Sequence, residues 1–463
     1  MVLKILLLLL GGICAVQAAV PLLLTNATNP RWLINSYSGR GVLLAGSHVW
    51  QTGASVYSNT ATWPAWTNAT YLNVMATNNH NAMRYWPGVS IGIGSWNDTY
   101  ATRLGPKPWN AVGPGIALDG GLRYSLSPTN FHQPWFDAVR WHVQAANTQG
   151  VYVAVVLEHG SKVSFPSWTN HLFHASNNIH GITVTSNEIN SLASAELMGY
   201  WRAYIVKMID TLNDLDNVIW EIANECPDWS VAWQYDLINC IRTNEATRAK
   251  QHLVCMSSVG FLDAYNTNLV QSTAEILQPS GFETLNTNSV IPVTSNRVVI
   301  ADTDHITGSS FGETNWNWKA FCRGYNPIFM DRLHGVSTLN LGDIATAPAM
   351  RREMGQVKLY GDKINLLHMM PSNSLANTGH CLAHTAGGEY LVFQPTNGST
   401  FIVNVSAGSY EWETYNPETS AVTKSGILNL SAGNNNFAFP AGVNYGAVLY
   451  LRKIRQVTCC TDI

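Results

Sequence analysis

The sequence predicts an α/β fold, a (β/α)8 TIM barrel followed by a small antiparallel β-sandwich, on three observations. Buried-strand patterns alternate with helix patterns as far as residue 365, and this alternation is typical of a parallel α/β architecture. Eight such units fit one barrel, and the strand patterns end in polar residues. From about residue 371 the pattern changes to short β-rich runs separated by Gly, Pro and Asn turns, which indicates a sandwich.

The strand and helix patterns of the barrel follow one another along the chain. The strand patterns cover residues 41–47, 81–86, 152–157, 217–225, 253–257, 274–277, 298–301 and 327–330, and the helix patterns cover residues 133–148, 191–212, 232–242 and 347–360. Residues 88–129 and 167–182 show no sustained period, which predicts long loops of the kind that usually carry function. A doubly wound sheet is the alternative, but no glycine-rich phosphate turn follows the first strand.

The second region begins where these helical patterns end. Its predicted strands cover residues 390–393, 401–405, 409–415, 436–439 and 447–451. The domain boundaries that follow are a signal peptide at residues 1–18, a barrel at 19–365, a β-sandwich at 366–455 and a tail at 456–463. A structural role, capping one side of the barrel, is the expected function of the sandwich, and carbohydrate or matrix binding is the alternative.

Composition restricts the possible partners. The chain of 463 residues has a net charge of −3 and only 12% charged residues, so neither nucleic acid nor a charged membrane surface is indicated. It contains 17 Trp and 18 Tyr, and its polar surface must come from Asn, Thr and Ser. Aromatic faces stack on the C–H faces of pyranose rings while amides bond their hydroxyls. The expected partner is therefore a neutral carbohydrate.

The first 18 residues have the features of a secretory signal peptide. Lys4 precedes an apolar run at residues 5–10, and residues 16–18 form a small-residue cleavage site. The apolar run is too short to span a bilayer, so we expect a soluble, secreted, extracellular protein. Six Asn-X-Ser/Thr sequons would make it a glycoprotein in a eukaryotic host. No cofactor and no zinc-type cysteine spacing is indicated, and the sequence leaves the oligomeric state unknown.

The candidate functional residues lie at predicted strand ends, where barrels place their chemistry. Carboxylates follow the third strand (Glu158), the fourth (Glu225), the seventh (Asp302 and Asp304) and the eighth (Asp331). His48, Trp50, Arg84, Trp86, His159, Asn224, Trp229 and His305 stand at or just beyond the same ends. Two carboxylates that face each other across a barrel mouth are what glycosidic cleavage requires.

The run Trp-Glu-Ile-Ala-Asn-Glu at residues 220–225 resembles the fourth-strand motif of a large clan of (β/α)8 retaining glycoside hydrolases. Residues 44–50, 301–305 and 323–331 look like a cellulase-like, poorly characterised branch of that clan, whose members carry a C-terminal collagen-binding-like β-sandwich. Residues 410–417 and 447–451 are similar to that module. The resemblance therefore covers nearly the whole mature chain.

This resemblance implies a role for several residues. Glu225 would be the general acid/base, Asn224 would bond the substrate's 2-hydroxyl, and Arg84 would support the nucleophile. The clan's usual nucleophile is Glu, whereas this seventh strand offers Asp302, which stands at that position, and Asp304. Asp302 is the preferred candidate, and the other acid would bind a hydroxyl or His305.

Two other functions fit the same residues. An inactive barrel that keeps a sugar-binding cleft would be a non-catalytic carbohydrate- or matrix-binding protein. A metal-dependent hydrolase would use His48, His159, His305, Asp302 and Asp304 as ligands. The favoured function is a secreted glycoside hydrolase that cleaves β-glycosidic bonds of a neutral polysaccharide or oligosaccharide, with Glu158, His159 and Asp331 among the substrate-binding or pKa-tuning residues. The sequence specifies neither the sugar and its linkage nor endo or exo action.

Overall fold

The computed structural model describes residues 19–49, 71–89, 107–160, 168–169, 171–259, 266–280, 297–303, 314–331 and 347–455. Eight parallel strands form a closed barrel, which confirms the predicted fold class. In chain order these strands are β4 (Gly46–His48), β5 (Ala82–Tyr85), β8 (Tyr152–His159), β9 (Val218–Asn224), β10 (Val254–Ser257), β11 (Ile276–Gln278), β12 (Val298–Asp302) and β13 (Asn326–Met330). The barrel closes between β13 and β4, where Ile328 pairs with Gly46.

Helices surround this barrel. They are α1 (Asn73–Thr77), α2 (Gln133–Thr148), α3 (Ala195–Leu212), α4 (Val231–Glu245), α5 (Asn266–Gln271), α6 (Trp316–Cys322) and α7 (Ala347–Lys363). The side chain of Ser194 caps α3 by accepting a hydrogen bond from the Leu197 N–H. Among the described residues, no helix is both long enough and apolar enough to span a membrane.

Period-two alternation explains why the barrel strands are apolar yet deliver polar side chains to the mouth. Every residue of β9 is buried. Val218 and Trp220 pack outward against the helices, while Ile219 belongs to the cluster inside the barrel. Glu221 continues the inward series, because side chains of a strand alternate between its faces. Because the strand is buried on both faces, its sequence is a nearly continuous apolar run. Polar residues interrupt this run at the barrel mouth.

A small antiparallel sheet joins the core at the amino-terminal end of the barrel. It consists of β1 (Leu23–Thr25), β2 (Leu33–Asn35) and β3 (Gly41–Val42). Leu23 and Leu33 belong to the same buried cluster as the interior residues Ile219 and Ile300. The sheet thus packs against the end of the barrel opposite to the mouth.

The C-terminal module is built on one six-stranded antiparallel sheet. Its strands, in spatial order, are β14 (Met370–Pro371), β15 (Cys381–His384), β16 (Glu389–Gln394), β21 (Ala447–Lys453), β18 (Gly408–Asn416) and β19 (Ala421–Leu430). A two-stranded sheet, β17 (Phe401–Val405) with β20 (Gly433–Phe437), packs on one face through Phe401 and Val403. The opposite face packs on the barrel.

The barrel and the six-stranded sheet share one hydrophobic core. Six side chains of the sheet face the barrel helices, namely Leu382, Leu391, Phe393, Tyr415, Val448 and Tyr450. Trp318 of α6 stacks on Phe393 with ring centroids 6.2 Å apart, and Tyr360 of α7 meets Tyr415 edge-on at 5.2 Å. The Tyr360 hydroxyl also donates a hydrogen bond of 2.7 Å to Glu413. The sheet therefore covers apolar helix surface of the barrel.

Three local expectations differ from the structure. The first barrel strand is Gly46–His48, because residues 41–42 pair with β2 instead. The loop expected at residues 88–129 contains a hairpin, β6 (Ala111–Ile116) and β7 (Leu122–Tyr124). The long strand β19 was not predicted, because most of its residues are exposed and it lacks an apolar alternation.

Candidate active site

Asp302 ends the seventh barrel strand, β12, and its carboxylate is fully buried at the mouth. Arg84 Nη1 and Gln278 Nε2 donate to its Oδ2 at 2.9 and 3.1 Å. His48 Nε2 lies 3.0 Å from Oδ1 and 2.9 Å from Oδ2. Because an ionised carboxylate only accepts hydrogen bonds, this contact assigns the ring proton of a neutral His48 to Nε2.

Arg84 is the centre of this mouth. It lies on β5, is fully buried, and contacts three residues on two other strands. Its Nε donates to Glu221 Oε2 at 3.0 Å and its Nη2 pairs with Glu221 Oε1, so the two side chains form a fork. The same Nη2 donates to Asn224 Oδ1 at 2.6 Å. One guanidinium therefore ties the fourth strand to the seventh.

Two further polar residues close these contacts into a ring. The Ser257 hydroxyl lies 3.0 Å from Glu221 Oε1 and 2.9 Å from Gln278 Oε1. Since Gln278 also reaches Asp302, polar contacts run from Asp302 through Arg84, Glu221, Ser257 and Gln278 back to Asp302. The Ser257 hydroxyl has one proton, so it donates to Glu221 or to Gln278 at any one time. We call these five residues the mouth ring. Each member contacts two others, and these contacts restrict its orientation.

Trp86 lies over the cationic side of the ring. The guanidinium carbon of Arg84 is 4.6 Å from the Trp86 ring centroid, a cation–π distance. The His48 ring is 5.0 Å from the same Trp86. Trp86 is only 2% exposed, so it shields the pair of Arg84 and His48 from water. Its indole N–H and His48 Nδ1 have no hydrogen-bond partner among the described residues.

The Asn224-Glu225 pair follows directly at the end of β9. Asn224 is buried and contacts Arg84, whereas Glu225 is half-buried and has a φ of 54°. This left-handed conformation is uncommon for residues other than Gly and turns the chain sharply out of the strand. The next residue, Cys226, is buried against Gly160 after β8. Burial and the nearby Glu158 carboxylate raise the pKa of the Cys226 thiol, which keeps it protonated.

Glu158 and His159 end the third barrel strand, β8. Glu158 is 1% exposed, and its Oε2 lies 3.5 Å from His171 Nε2. Its other oxygen has no hydrogen-bond partner among the described residues. His159 is 7% exposed. Glu158 therefore lies near Cys226, the residue that follows Glu225. It makes no described contact with the mouth ring.

Two predicted binding residues have different surroundings. Both carboxylate oxygens of Asp331 are held by Arg351 of α7, at 2.7 Å from Nε and 2.5 Å from Nη2. The Asp331 N–H also donates to the His48 carbonyl at 2.7 Å, so this residue joins α7 to the first strand. Trp229 is 39% exposed in the short helix Asp228–Ser230, which follows Glu225.

The remaining predicted residues, Trp50, Asp304 and His305, lie outside the described residues. Within the described part of the chain, no group of three or more His, Cys, Asp or Glu side chains could hold a metal ion. Three ring members, Glu221, Ser257 and Gln278, were absent from the predicted set. Glu221 could have been found as an acid two residues after an inward-facing position of an otherwise apolar strand. Ser257 and Gln278 could have been found because they end or directly follow predicted strands.

Solved structures of known proteins share this fold. A glycoside hydrolase aligns with a TM-score of 0.61 over 94% of this chain and 99% of its own, at 14% identity. A family 5 glycoside hydrolase from Bacteroides vulgatus aligns with a TM-score of 0.61 over 94% and 95%, at 13% identity. A further Bacteroides vulgatus structure gives 0.64 over 94% and 82%, at 13% identity.

Comparisons of the sequence give a different result. No protein-family model matches the chain, and no curated protein matches it in sequence. The structural likeness, at 13–14% identity, extends over 94% of the chain and thus over both the barrel and the module that follows it. This chain has the fold of those glycoside hydrolases.

Proposed function

We propose that this protein is a secreted glycoside hydrolase that cleaves β-glycosidic bonds of a neutral polysaccharide or oligosaccharide with retention of configuration. The observation that carries the proposal is the link through Arg84, whose guanidinium holds both Asp302 and the Asn224 that precedes Glu225. Two carboxylates on opposite strands of one mouth are the minimal machinery of this reaction. The fold shared with glycoside hydrolases adds support.

The proposed reaction is a double displacement. A lone pair of Asp302 forms a bond to the anomeric carbon while the glycosidic bond breaks, and Glu225 gives its proton to the leaving oxygen. Glu225 then removes a proton from water, the water oxygen bonds to the anomeric carbon, and the electron pair of the ester returns to Asp302. Retention predicts that the two carboxyl groups lie about 5–5.5 Å apart with substrate bound.

The surroundings of the two acids suit these roles. Three donors hold Asp302 in its ionised form, which a nucleophile requires. Glu225 is half-buried on a sharp turn, where it can exchange protons with substrate and water. In the proposal, Asn224, His48 and Trp86 contact the sugar at the cleavage point and Trp229 contacts it further out. Asp331 is left out of the proposed binding set, since Arg351 occupies both of its oxygens.

The test is the release of reducing sugar from a panel of neutral β-glycans by the wild type, Glu225→Gln and Asp302→Asn. Both variants keep side-chain size, and we expect each to lose turnover by a factor of about 10² or more. Glu245→Gln is the matched control, because Glu245 is a buried carboxylate on α4, bonded to Trp220 outside the barrel. Wild-type turnover in either site variant contradicts the assignment of that residue.

One observation favours a second function, a non-catalytic carbohydrate-binding protein. Asp302 is one methylene shorter than the Glu usual in the clan that the sequence resembles, and its side chain is fully buried. An attack requires an approach of about 3–3.5 Å to the anomeric carbon. The second function replaces the first if the wild-type protein cuts no β-glycan but is retarded in an affinity gel that contains one of them.

A further inference from the structure

Glu221 is a buried carboxylate that the proposed reaction does not use. It is fully buried and lies on β9, four residues before the proposed acid/base. Its three described contacts are the two fork contacts to Arg84 and one to the Ser257 hydroxyl. A buried carboxylate is costly unless it is paired and hydrogen-bonded, and here Arg84 supplies that pairing.

The mouth ring contains two carboxylates and one guanidinium. The guanidinium supplies one positive charge, while Asp302 and Glu221 supply two negative ones at 2.9 and 3.0 Å. Two further described groups contact Asp302: His48 from β4, which donates from Nε2, and the neutral Gln278 from β11. Cys255 on β10 is also neutral, because burial and then Glu221 raise the pKa of its thiol.

The double displacement changes only one of these charges. When Asp302 bonds to the anomeric carbon it becomes a neutral ester, so its half of the ion pair with Arg84 is lost. A lone Arg84–Asp302 pair would hold the nucleophile back, since a buried guanidinium would be left without a counterion in the intermediate. With Glu221 forked to Arg84, the guanidinium stays neutralised before, during and after the attack.

We propose that Glu221 is a positioning residue, the permanent counterion of Arg84, which leaves the Asp302 carboxylate free to act as nucleophile. This inference rests on the proposed hydrolase function and deepens it. Glu221 touches neither the sugar nor the reacting atoms in this proposal. It acts by sharing Arg84, which both fixes the guanidinium in place and weakens its hold on Asp302.

The test compares Glu221→Gln and Glu221→Asp with the wild type in kcat/KM against pH on a glycan that the wild type cuts. Without the Glu221 charge, Arg84 pairs with Asp302 as its one carboxylate in the ring. The stronger pairing lowers the pKa of Asp302 and makes its carboxylate less reactive as a nucleophile. For Glu221→Gln we expect kcat/KM to fall by about 10²-fold and its acidic limb to move to lower pH by about one unit. Glu221→Asp, which retracts the charge, should shift the limb in the same direction by less.

The shift of the acidic limb separates this role from a merely structural one, which would lower activity and leave the limb in place. Glu245→Gln serves again as the control and should keep the wild-type limb, because Glu245 contacts Trp220, Asn213 and His252 outside the mouth. An unchanged limb in a folded Glu221→Gln overturns the inference, and if that variant does not fold, an unchanged limb in Glu221→Asp overturns it. A wild type that cuts no glycan overturns the proposed function and this inference together.

Discussion

At the scale of single residues, the backbone around Glu225 depends on the absence of a side chain on Gly160. A Cβ at position 160 would lie 2.5 Å from the Cα of Cys226 and closer still to its sulfur. Contacts that short do not occur between unstrained atoms, and Cys226 is bonded directly to Glu225. The ends of the third and fourth strands are therefore close enough that Gly160 controls where the Glu225 turn lies.

Gly160→Ala should displace the Glu225 turn and lower kcat by about 10-fold or more, because a misplacement of about 1 Å can reduce catalysis by 10²-fold. The measurement is steady-state kinetics on the glycan that the wild type cuts. Gly199→Ala is the control, since a Cβ at this position in α3 meets nothing within 4 Å. That variant should keep wild-type kcat and unfold at a slightly higher temperature, because Ala favours the helix by about 1 kcal/mol over Gly. Equal kcat in both variants contradicts the argument.

At strand ends, charged and titratable residues stand out in the sequence more readily than neutral polar ones. Asn224 and Glu225 interrupt an apolar strand abruptly, and Arg84, His48 and Asp302 follow the same rule, so their convergence could be expected from barrel topology alone. Ser257 and Gln278 also end their strands, but both are neutral, and Ser257 is followed by a second Ser. Their place in the mouth ring depends on the stagger of β10 and β11 in the closed barrel, which local patterns do not encode.

At the scale of elements, α7 carries a buried acid that makes stability depend on pH. Glu353 is fully buried and accepts a hydrogen bond of 2.9 Å from the N–H of Asn315, the residue before α6. Burial raises the pKa of Glu353 from 4.5 to about 7. The folded state therefore binds a proton more readily than the unfolded chain between these two pH values. Stability falls as pH rises through that window, by up to about 3 kcal/mol from this group.

Glu353→Gln should remove this dependence, because the amide has the size of the protonated acid and cannot ionise. We expect the variant to gain stability over the wild type at pH 7.5 by up to about 3 kcal/mol and to match it near pH 4. Urea denaturation at the two pH values measures both differences. A variant that is less stable than the wild type at pH 7.5 would show that the carboxylate is needed in its charged form.

The elements of the C-terminal module differ in how far the sequence predicts them. Residues 390–393 and 447–451 read as strands because their side chains are apolar on both faces, and β16 and β21 indeed lie in the middle of the sheet. The strand β19 lies at the edge of the sheet, where one of its sides pairs with no other strand among the described residues. Its exposed Thr, Lys, Ser and Gly residues depend on pairing with β18 for their conformation. Local preference therefore predicts central strands better than edge strands.

At the scale of the whole molecule, the hydrophobic core shared by the module and the barrel leads us to expect that they unfold together. Six side chains of the sheet face the barrel, and burying each of them contributes about 1.5–3 kcal/mol to stability. Removing the sheet would therefore lose roughly 10 kcal/mol or more of stabilising free energy. The whole free energy of unfolding of a protein is about 5–15 kcal/mol. A chain that stops at residue 365 should therefore aggregate or remain unfolded.

A milder change tests the same interface. Leu391→Asp places a charge where the sheet meets α6 and α7, whereas Ile427→Asp alters a residue of β19 that is 67% exposed. We expect the first variant to lose several kcal/mol of unfolding free energy and the second to stay within about 0.5 kcal/mol of the wild type. Thermal melts followed by circular dichroism should show a single transition in the wild type. Separate transitions for the two regions would indicate independent domains.

The position of β21 in the six-stranded sheet has a consequence for synthesis. This strand lies between β16 and β18, although both precede it in the chain by more than 30 residues. While a ribosome is still translating, β14–β16 and β18–β19 can exist only as separate halves, and the apolar sides of α6 and α7 have no complete cover. The nascent protein must stay soluble until residues 447–453 emerge, so its need for chaperones during synthesis and the yield of chains that stop before residue 447 both depend on this last strand.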